Sequence, residues 1–266
     1  MRKFNNARNH VKIVNGEFAL NPIEQLTCLG AIYRTLIRNW FKLKFEPETQ
    51  LLNRWLKEGS VCLDIGAGYG RYAYVLSQLV QGSGQVHSFE PLDYNLAVLR
   101  AIVQFHRLNN VTIVPKELSR QSGTQNLVLP IKKKSGILPA MAHSLAHLAT
   151  DSESNGVKKT VPVTTIDQYA SERQLNRIDF IKCDVEGAEL LVFEGGKNVL
   201  NRDKPVVLCE AYEAWLKRFG RKREDLLRFF SQLHYQAFAL NGKELIRIKE
   251  LREDGNYFFI PVSNSK

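Results

Sequence analysis

At 266 residues, 44% hydrophobic and 24% charged, the chain has the size and balance of a soluble enzyme built as one α/β domain with an extension, not two equal domains. The formal charge of +10 favours anionic partners; residues 1–45 hold eight Lys and Arg against two Glu, a net of +6 that suits nucleic acid, a membrane surface or a phosphorylated substrate. No stretch approaches a membrane span, the first 20 residues lack the apolar centre of a signal peptide, and Cys28, Cys62, Cys183 and Cys209 form no C-x-x-C pair, so buried thiols in a reducing, cytoplasmic setting are expected.

Residues 1–19 are polar apart from Val11–Val14 and read as irregular or a short edge element. Asn21-Pro22 opens a helix, the Asn as cap and the proline in its first turn. Its stripe of Ile23, Leu26, Leu29/Gly30, Tyr33, Leu36/Ile37 and Trp40, with Arg34, Arg38 and Lys42 beside it, predicts a lid packed over the domain. The alternative is weak association of residues 21–44 with a membrane surface. Residues 1–47 are read as a basic extension and 48–266 as the main domain. Residues 48–58 form another helical segment, with Leu51, Leu52, Trp55 and Leu56 inward.

Val61-Cys62-Leu63-Asp64-Ile65 fits a buried parallel strand, and Gly66-Ala67-Gly68-Tyr69-Gly70 follows with three glycines at alternate positions. Glycine permits a tight turn and close approach of a ligand to the backbone. Tyr72, Ala73, Val75, Leu76 and Leu79 then recur at helical spacing, which gives the strand, glycine loop and helix of a cofactor-binding first turn. Arg71 occupies the third glycine position of a dinucleotide fingerprint, and no Gly-Lys-Ser/Thr closes a P-loop.

Strands are predicted at 84–90, 111–115, 178–184, 205–210, 235–240 and 257–262, with helices at 93–106, from 187 and at 224–233. Residues 124–131 and 161–166 read as further extended segments, Thr165 as a helix cap, and 242–255 as a long arm between the last two strands. Residues 132–160 read as a loop over the substrate, with His143 and Ser144 touching it; His143 and His147 lack the Glu of an H-E-x-x-H zinc motif.

Asp64, Glu90, Asp184 and Glu210 all fall at strand ends, the edge of an open α/β sheet where ligands bind. Glu90, on the second strand, is placed to accept the hydroxyls of a ribose. Asp64 beside the glycine turn suits a cationic amine better than a pyrophosphate, whose charge it would repel. A nucleoside with an ammonium-bearing tail satisfies both, and S-adenosylmethionine is such a ligand; another nucleotide held by the same turn stays open.

Asp64-Ile-Gly-Ala-Gly-Tyr-Gly70, Phe89-Glu90-Pro91, Thr165-Ile166-Asp167 and Ile181-Lys-Cys-Asp184-Val-Glu186-Gly187-Ala-Glu189 together resemble the FkbM family of S-adenosylmethionine-dependent methyltransferases, over about residues 48–262. The resemblance implies the class I methyltransferase fold: a three-layer, Rossmann-like α/β arrangement with an open twisted sheet, mostly parallel, and an antiparallel last strand. It makes 48–266 the catalytic domain and implies O-methylation of a small-molecule or glycan hydroxyl. Cofactor contacts are expected from Asp64, Gly66, Ala67, Gly68, Tyr69, Gly70, Glu90, Pro91 and Glu117. Tyr69 stands where the family usually has Asn. Glu117 departs from the family's usual Ala and brings a charge near the adenine, where it either accepts from the adenine amine or faces water.

Methyl transfer from a sulfonium needs an aligned oxygen and a group to take its proton. Asp184 is the expected base or substrate orienter, with Glu186 and Glu210 sharing the roles and Lys182 pairing with one of these acids. Asp184 and Glu210 are also the candidate ligands if a divalent cation acidifies the acceptor. Glu189 is a helix-surface or capping carboxylate on the simplest reading. The competing functions are a nucleic-acid methyltransferase, disfavoured because no Asn/Asp-Pro-Pro-Tyr run follows the fourth strand, and a catalytically silent nucleoside-binding protein.

Overall fold

The computed structural model describes residues 13–14, 17–18, 22–40, 46–129, 147–148 and 157–262. A short hairpin, β1 (Ile13–Val14) and β2 (Glu17–Phe18), precedes helix α1 (Pro22–Trp40), and a 3-10 segment at Pro47–Arg54 leads into β3 (Val61–Ile65). Next come α2 (Arg71–Val80), β4 (Gln85–Phe89), α3 (Asp93–Phe105) and β5 (Val111–Val114), then β6 (Glu117–Leu118), β7 (Gly123–Leu129), β8 (His147–Leu148) and β9 (Val157–Thr164). The second half holds α4 (Ile166–Glu172), β10 (Phe180–Cys183), α5 (Glu189–Glu194), α6 (Lys197–Asp203), β11 (Val206–Ala211), α7 (Glu213–Leu216), α8 (Arg223–Gln232), β12 (Tyr235–Asn241), β13 (Glu244–Ile248) and β14 (Gly255–Pro261).

The main sheet has the order β13-β12-β14-β11-β10-β3-β4-β5. Its five strands from β11 to β5 are parallel, whereas β14 runs antiparallel to both β11 and β12. Alternation along β3 sends Leu63 and Ile65 into one core layer with Ile181, Phe193 and Phe230, and Cys62 into the other with Leu76, Val86 and Phe258. All four cysteines are buried and free, as their apolar settings suggested.

The structure departs from sequence expectation in five places. The segment after Pro47 is 3-10 rather than α-helical, because Thr49 turns both its amide and its hydroxyl back to the Glu46 carbonyl, at 3.0 and 2.7 Å. The extended segments around 124–131 and 161–166 leave the main sheet and pair with each other, Gly123 opposite Val163 through Leu129 opposite Val157. A second sheet of order β6-β9-β7-β8 results. Pro115, which has no N–H to donate, follows β5 where the chain turns away. The predicted 132–160 loop is shortened by β8 and β9; residues 130–146, with His143 and Ser144, lie outside the described residues. The 242–255 arm contains an eighth strand, β13, joined to β12 by a two-residue turn with Gly242 at φ +61°.

The fifth departure concerns α1. It does pack over the domain, against α3, but through Cys28 and Ala31 with Ile32 and Leu36, which meet Tyr94, Val98 and Ile102. Of the predicted stripe Leu36 packs inward, whereas Leu26, Leu29 and Tyr33 face out, 71%, 65% and 67% exposed. Small residues at positions 28 and 31 let the two helices approach, which the bulkier stripe would prevent.

Candidate active site

Strand order reverses at β3, with β4 on one side and β10 on the other, and a cavity of about 350 Å³ opens at the carboxyl ends of these strands. Asp64, Gly66, Ala67, Gly68, Tyr69, Glu90, Pro91, Glu117, Lys182, Asp184 and Glu186 all line it. Two expected contacts do not. Gly70 starts α2 at φ +79°, and a Cβ there would meet Leu99 Cδ1 at 2.6 Å, so this glycine serves packing. Glu210 stands behind Asp184, away from the cavity wall.

The glycine turn hangs from β4: the amides of Gly66 and Ala67 both donate to the Phe89 carbonyl, at 3.1 and 2.9 Å. Gly66 is required by close approach, since a Cβ would lie 1.8 Å from the Asp184 carbonyl oxygen. Nothing lies within 4 Å of a Cβ at Gly68, whose φ is +53°. Tyr69 packs its ring 6.2 Å from Tyr94, in the cluster that joins α1 to α3. The residue that departs from the family pattern thus connects the turn to the extension.

Glu90 is buried and braces the same turn. One carboxylate oxygen accepts from the Gly68 amide at 3.0 Å and the other from the Leu92 amide at 2.9 Å. A carboxylate offers about four lone-pair sites, so acceptor capacity remains toward the cavity. Burial pushes its pKa up to about 7 against these hydrogen bonds. Glu117 does not face water: it is 7% exposed, and burial, aided by the Glu90 charge, takes its pKa up to about 8.

Register places the other acids. Asp64 lies between Ser88 and Lys182 on neighbouring strands, and Cys183 opposite Cys209 brings Asp184 beside Glu210 one residue later. Asp64 is buried, accepts from Ser88 Oγ at 3.2 Å, and has its pKa raised by burial to about 7, with Lys182 opposing. Lys182, 2% exposed, sets its ammonium 3.3 Å from Asp184 Oδ2 and 5.3 Å from the Tyr72 ring centre. Burial disfavours that charge, but Asp184 above all, with Glu46, holds the lysine protonated. Asp184 keeps 34% of its side chain exposed toward the cavity.

Asp184 and Glu210 are hydrogen-bonded to each other and titrate together. Burial and the Asp184 charge push Glu210 up to about 10, so Glu210 carries the proton. Burial works against ionisation of Asp184, but Lys182 and the Glu210 hydrogen bond hold its pKa below the usual carboxylate range. Among the described residues no group of three or more His, Cys, Asp and Glu side chains forms a metal site.

The run after β10 is a braced turn. Glu186 and Gly187 both have positive φ, at +56° and +108°, and a Cβ on Gly187 would sit 2.4 Å from the Trp215 carbonyl oxygen. Glu189 folds back so that one oxygen accepts from the Val185 amide at 3.1 Å and the Gly187 amide at 3.0 Å. It is therefore a buried brace for the turn and not a helix-surface group. Glu186 lines the cavity, its pKa raised to about 8 by burial and then by Asp184 and Glu189.

Sequence reasoning missed the cavity's cationic wall. Arg38 of α1 lines it beside Arg71, Tyr72 and Glu46; Arg71 pairs with Glu46, and the Tyr72 hydroxyl donates to the other Glu46 oxygen at 2.7 Å. The departure of Arg71 from the dinucleotide fingerprint was the available signal.

This arrangement of sheet, glycine turn and acid-tipped strands is that of a class I, Rossmann-like S-adenosylmethionine methyltransferase. The sequence profile of the FkbM methyltransferase domain matches residues 64–237, and the chain belongs to that family. Among solved structures, FkbM from Methylobacillus flagellatus KT is 18% identical, with a TM-score of 0.47 over 90% of this chain and 56% of that one. The chain thus spans little more than half of that relative. A protein from Streptococcus mutans solved in complex with SAH is 12% identical (TM-score 0.47; 82% of this chain, 99% of that). An rRNA methylase from Streptococcus thermophilus is 10% identical (TM-score 0.45; 81% and 95%). No curated protein matches the sequence.

The cavity suits the cofactor that the family implies. It offers a buried acid for the ribose side in Glu90, a second acid in Glu117, open space over Gly68, and Asp64 behind the turn.

Proposed function

We propose that the protein is an S-adenosylmethionine-dependent O-methyltransferase acting on a hydroxyl of a small molecule or glycan. The observation that carries this reading is Asp184, a carboxylate held ionised by Lys182 and by a protonated Glu210 while open to the cavity. When bound, the cofactor supplies an electrophilic methyl on a sulfonium. Glu90 accepts from the ribose hydroxyls with the lone pairs its two amides leave free. Glu117, whose pKa burial raises to about 8, would hold the adenine edge by accepting from its amine.

Asp184 accepts a hydrogen bond from the acceptor hydroxyl and so orients an oxygen lone pair for in-line attack. A weakly basic carboxylate is adequate for this chemistry. The hydroxyl becomes strongly acidic as its oxygen gains a carbon, so its proton falls to Asp184 late in the step. Glu210 keeps its own proton and limits the charge that the buried cluster must bear. Incubation with S-adenosylmethionine and a panel of hydroxylated small molecules and glycans should yield S-adenosylhomocysteine together with a methyl ether. Turnover confined to nucleic acid, or product methylated only on nitrogen, contradicts this reading.

The exposed Leu26, Leu29 and Tyr33 on α1, within residues 1–45 of net charge +6, support weak docking on an anionic lipid surface. No helix among the described residues is long and apolar enough to cross a membrane. Co-sedimentation with phosphatidylglycerol vesicles but not with phosphatidylcholine vesicles, lost in Leu29→Ser/Tyr33→Ser, is the expected outcome. Loss of a dimer in that variant, without vesicle binding by the parent, contradicts it.

A further inference from the structure

Arg38 belongs to the last turn of α1, outside the matched residues 64–237, yet forms part of the cavity wall. Its Nε and one terminal nitrogen are buried with no hydrogen-bond partner among the described residues. The nearby carboxylate of Glu46 takes Arg71 on one oxygen and the Tyr72 hydroxyl on the other, and neither bond involves Arg38. Burial and the adjacent Arg71 charge bring the Arg38 pKa down to about 10, with Glu46 opposing. Two guanidinium nitrogens that have lost their water and gained no acceptor cost free energy, and an anion delivered from the cavity offsets it.

The position of this wall selects the anion. Arg71 is the first residue of α2, directly after the glycine turn, where the helix dipole favours negative charge. Glu90 braces Gly68 in the same turn, on the ribose side, while Asp184 and Glu186 come from the loop after β10. Asp64 and the two arginines line the same cavity as Glu90, an acid and two cations whose charges match those of an amino-acid zwitterion.

Building on the assignment of the cavity to S-adenosylmethionine, we propose that Arg38, supported by Arg71, binds the α-carboxylate of the methionine moiety. Helix α1 thereby completes the cofactor pocket, and the extension is required for binding.

Calorimetry on the full chain tests this with three ligands: S-adenosylhomocysteine, decarboxylated S-adenosylmethionine and 5′-methylthioadenosine. Arg38→Met keeps the apolar stem and should weaken S-adenosylhomocysteine by about 10–100-fold, the range for a charged hydrogen bond, while the two ligands without a carboxylate bind as they do to the parent. Arg38→Lys, which keeps the charge without the planar fork, should lose affinity for S-adenosylhomocysteine alone and by less. It provides the same comparison if Arg38→Met does not fold. Equal weakening of all three ligands, or unchanged binding of S-adenosylhomocysteine, overturns the proposal. A parent that binds none of the three overturns the cofactor assignment itself, whereas a parent that binds all three equally tightly overturns only the role of Arg38.

Discussion

Lys182 and Asp184, two residues apart on one face of the chain, form a 3.3 Å ion pair in which the lysine is buried and the aspartate faces the cavity. In the proposed reaction the pair divides the labour: the lysine fixes the charge state, and the aspartate meets the acceptor. Lys182→Met should raise the Asp184 pKa and move the acid limb of turnover to higher pH. A stability loss of roughly 1–3 kcal/mol is expected, less than for a fully dry pair because Asp184 keeps access to solvent. A pH–rate profile and denaturant melts check both.

The two inner glycines of the turn should differ sharply. Gly66→Ala combines positive φ with a contact of 1.8 Å to the backbone of Asp184, so β3 and the segment after β10 must separate. Gly68→Ala meets open space and bears only the left-handed backbone term, about 1–2 kcal/mol. Thermal melts should show Gly66→Ala as by far the less stable; equal melting temperatures contradict the role given to Gly66.

Much of this was legible in the sequence, for identifiable reasons. The apolar runs ending in Asp64, Glu90, Asp184 and Glu210 marked parallel strands and their ligand-binding ends, because buried strands carry their signal in consecutive residues. The outward part of the α1 stripe misled, since periodicity reports amphipathicity and not which face finds a partner; Cys28 and Ala31 are the face that fits α3. β13 was signalled by Asn241-Gly242, a hairpin dipeptide that lies inside a charged, exposed stretch. The approach of Arg38 to the cavity is tertiary and left no local trace. Glu189 was missed as a brace because its partners are the Val185 and Gly187 amides, which no side-chain pattern reveals.

Stability of the ligand-free protein should fall as pH rises from 5 to 9. Asp64, Glu90 and Glu189 have folded pKa values raised to about 7, and Glu117 to about 8, in each case first by burial. Each is neutral when folded and ionised when unfolded in the window between the ordinary carboxylate pKa near 4 and its raised value. The folded state then binds more protons, so the stabilisation is complete below about pH 4 and is lost as pH passes 7–8. A chain of this size shifts its melting temperature by about 2–4 °C per kcal/mol, so differential scanning fluorimetry should show a fall of several degrees. A melting temperature that rises steadily across this range contradicts the burial of these acids.

Asp184→Asn tests the central claim most directly, because it keeps the shape of the residue and removes the charge. Calorimetry of S-adenosylhomocysteine and methyl-transfer turnover should be measured on the same preparation, with and without a chelator. The expected result is cofactor affinity within a few-fold of the parent and turnover reduced by about 10²–10⁴, unchanged by chelator or added divalent cation. Inactivation of the parent by chelator, with rescue of the variant by excess cation, would assign Asp184 and Glu210 to a metal instead. Full turnover in Asp184→Asn would contradict any role for Asp184 in the transfer.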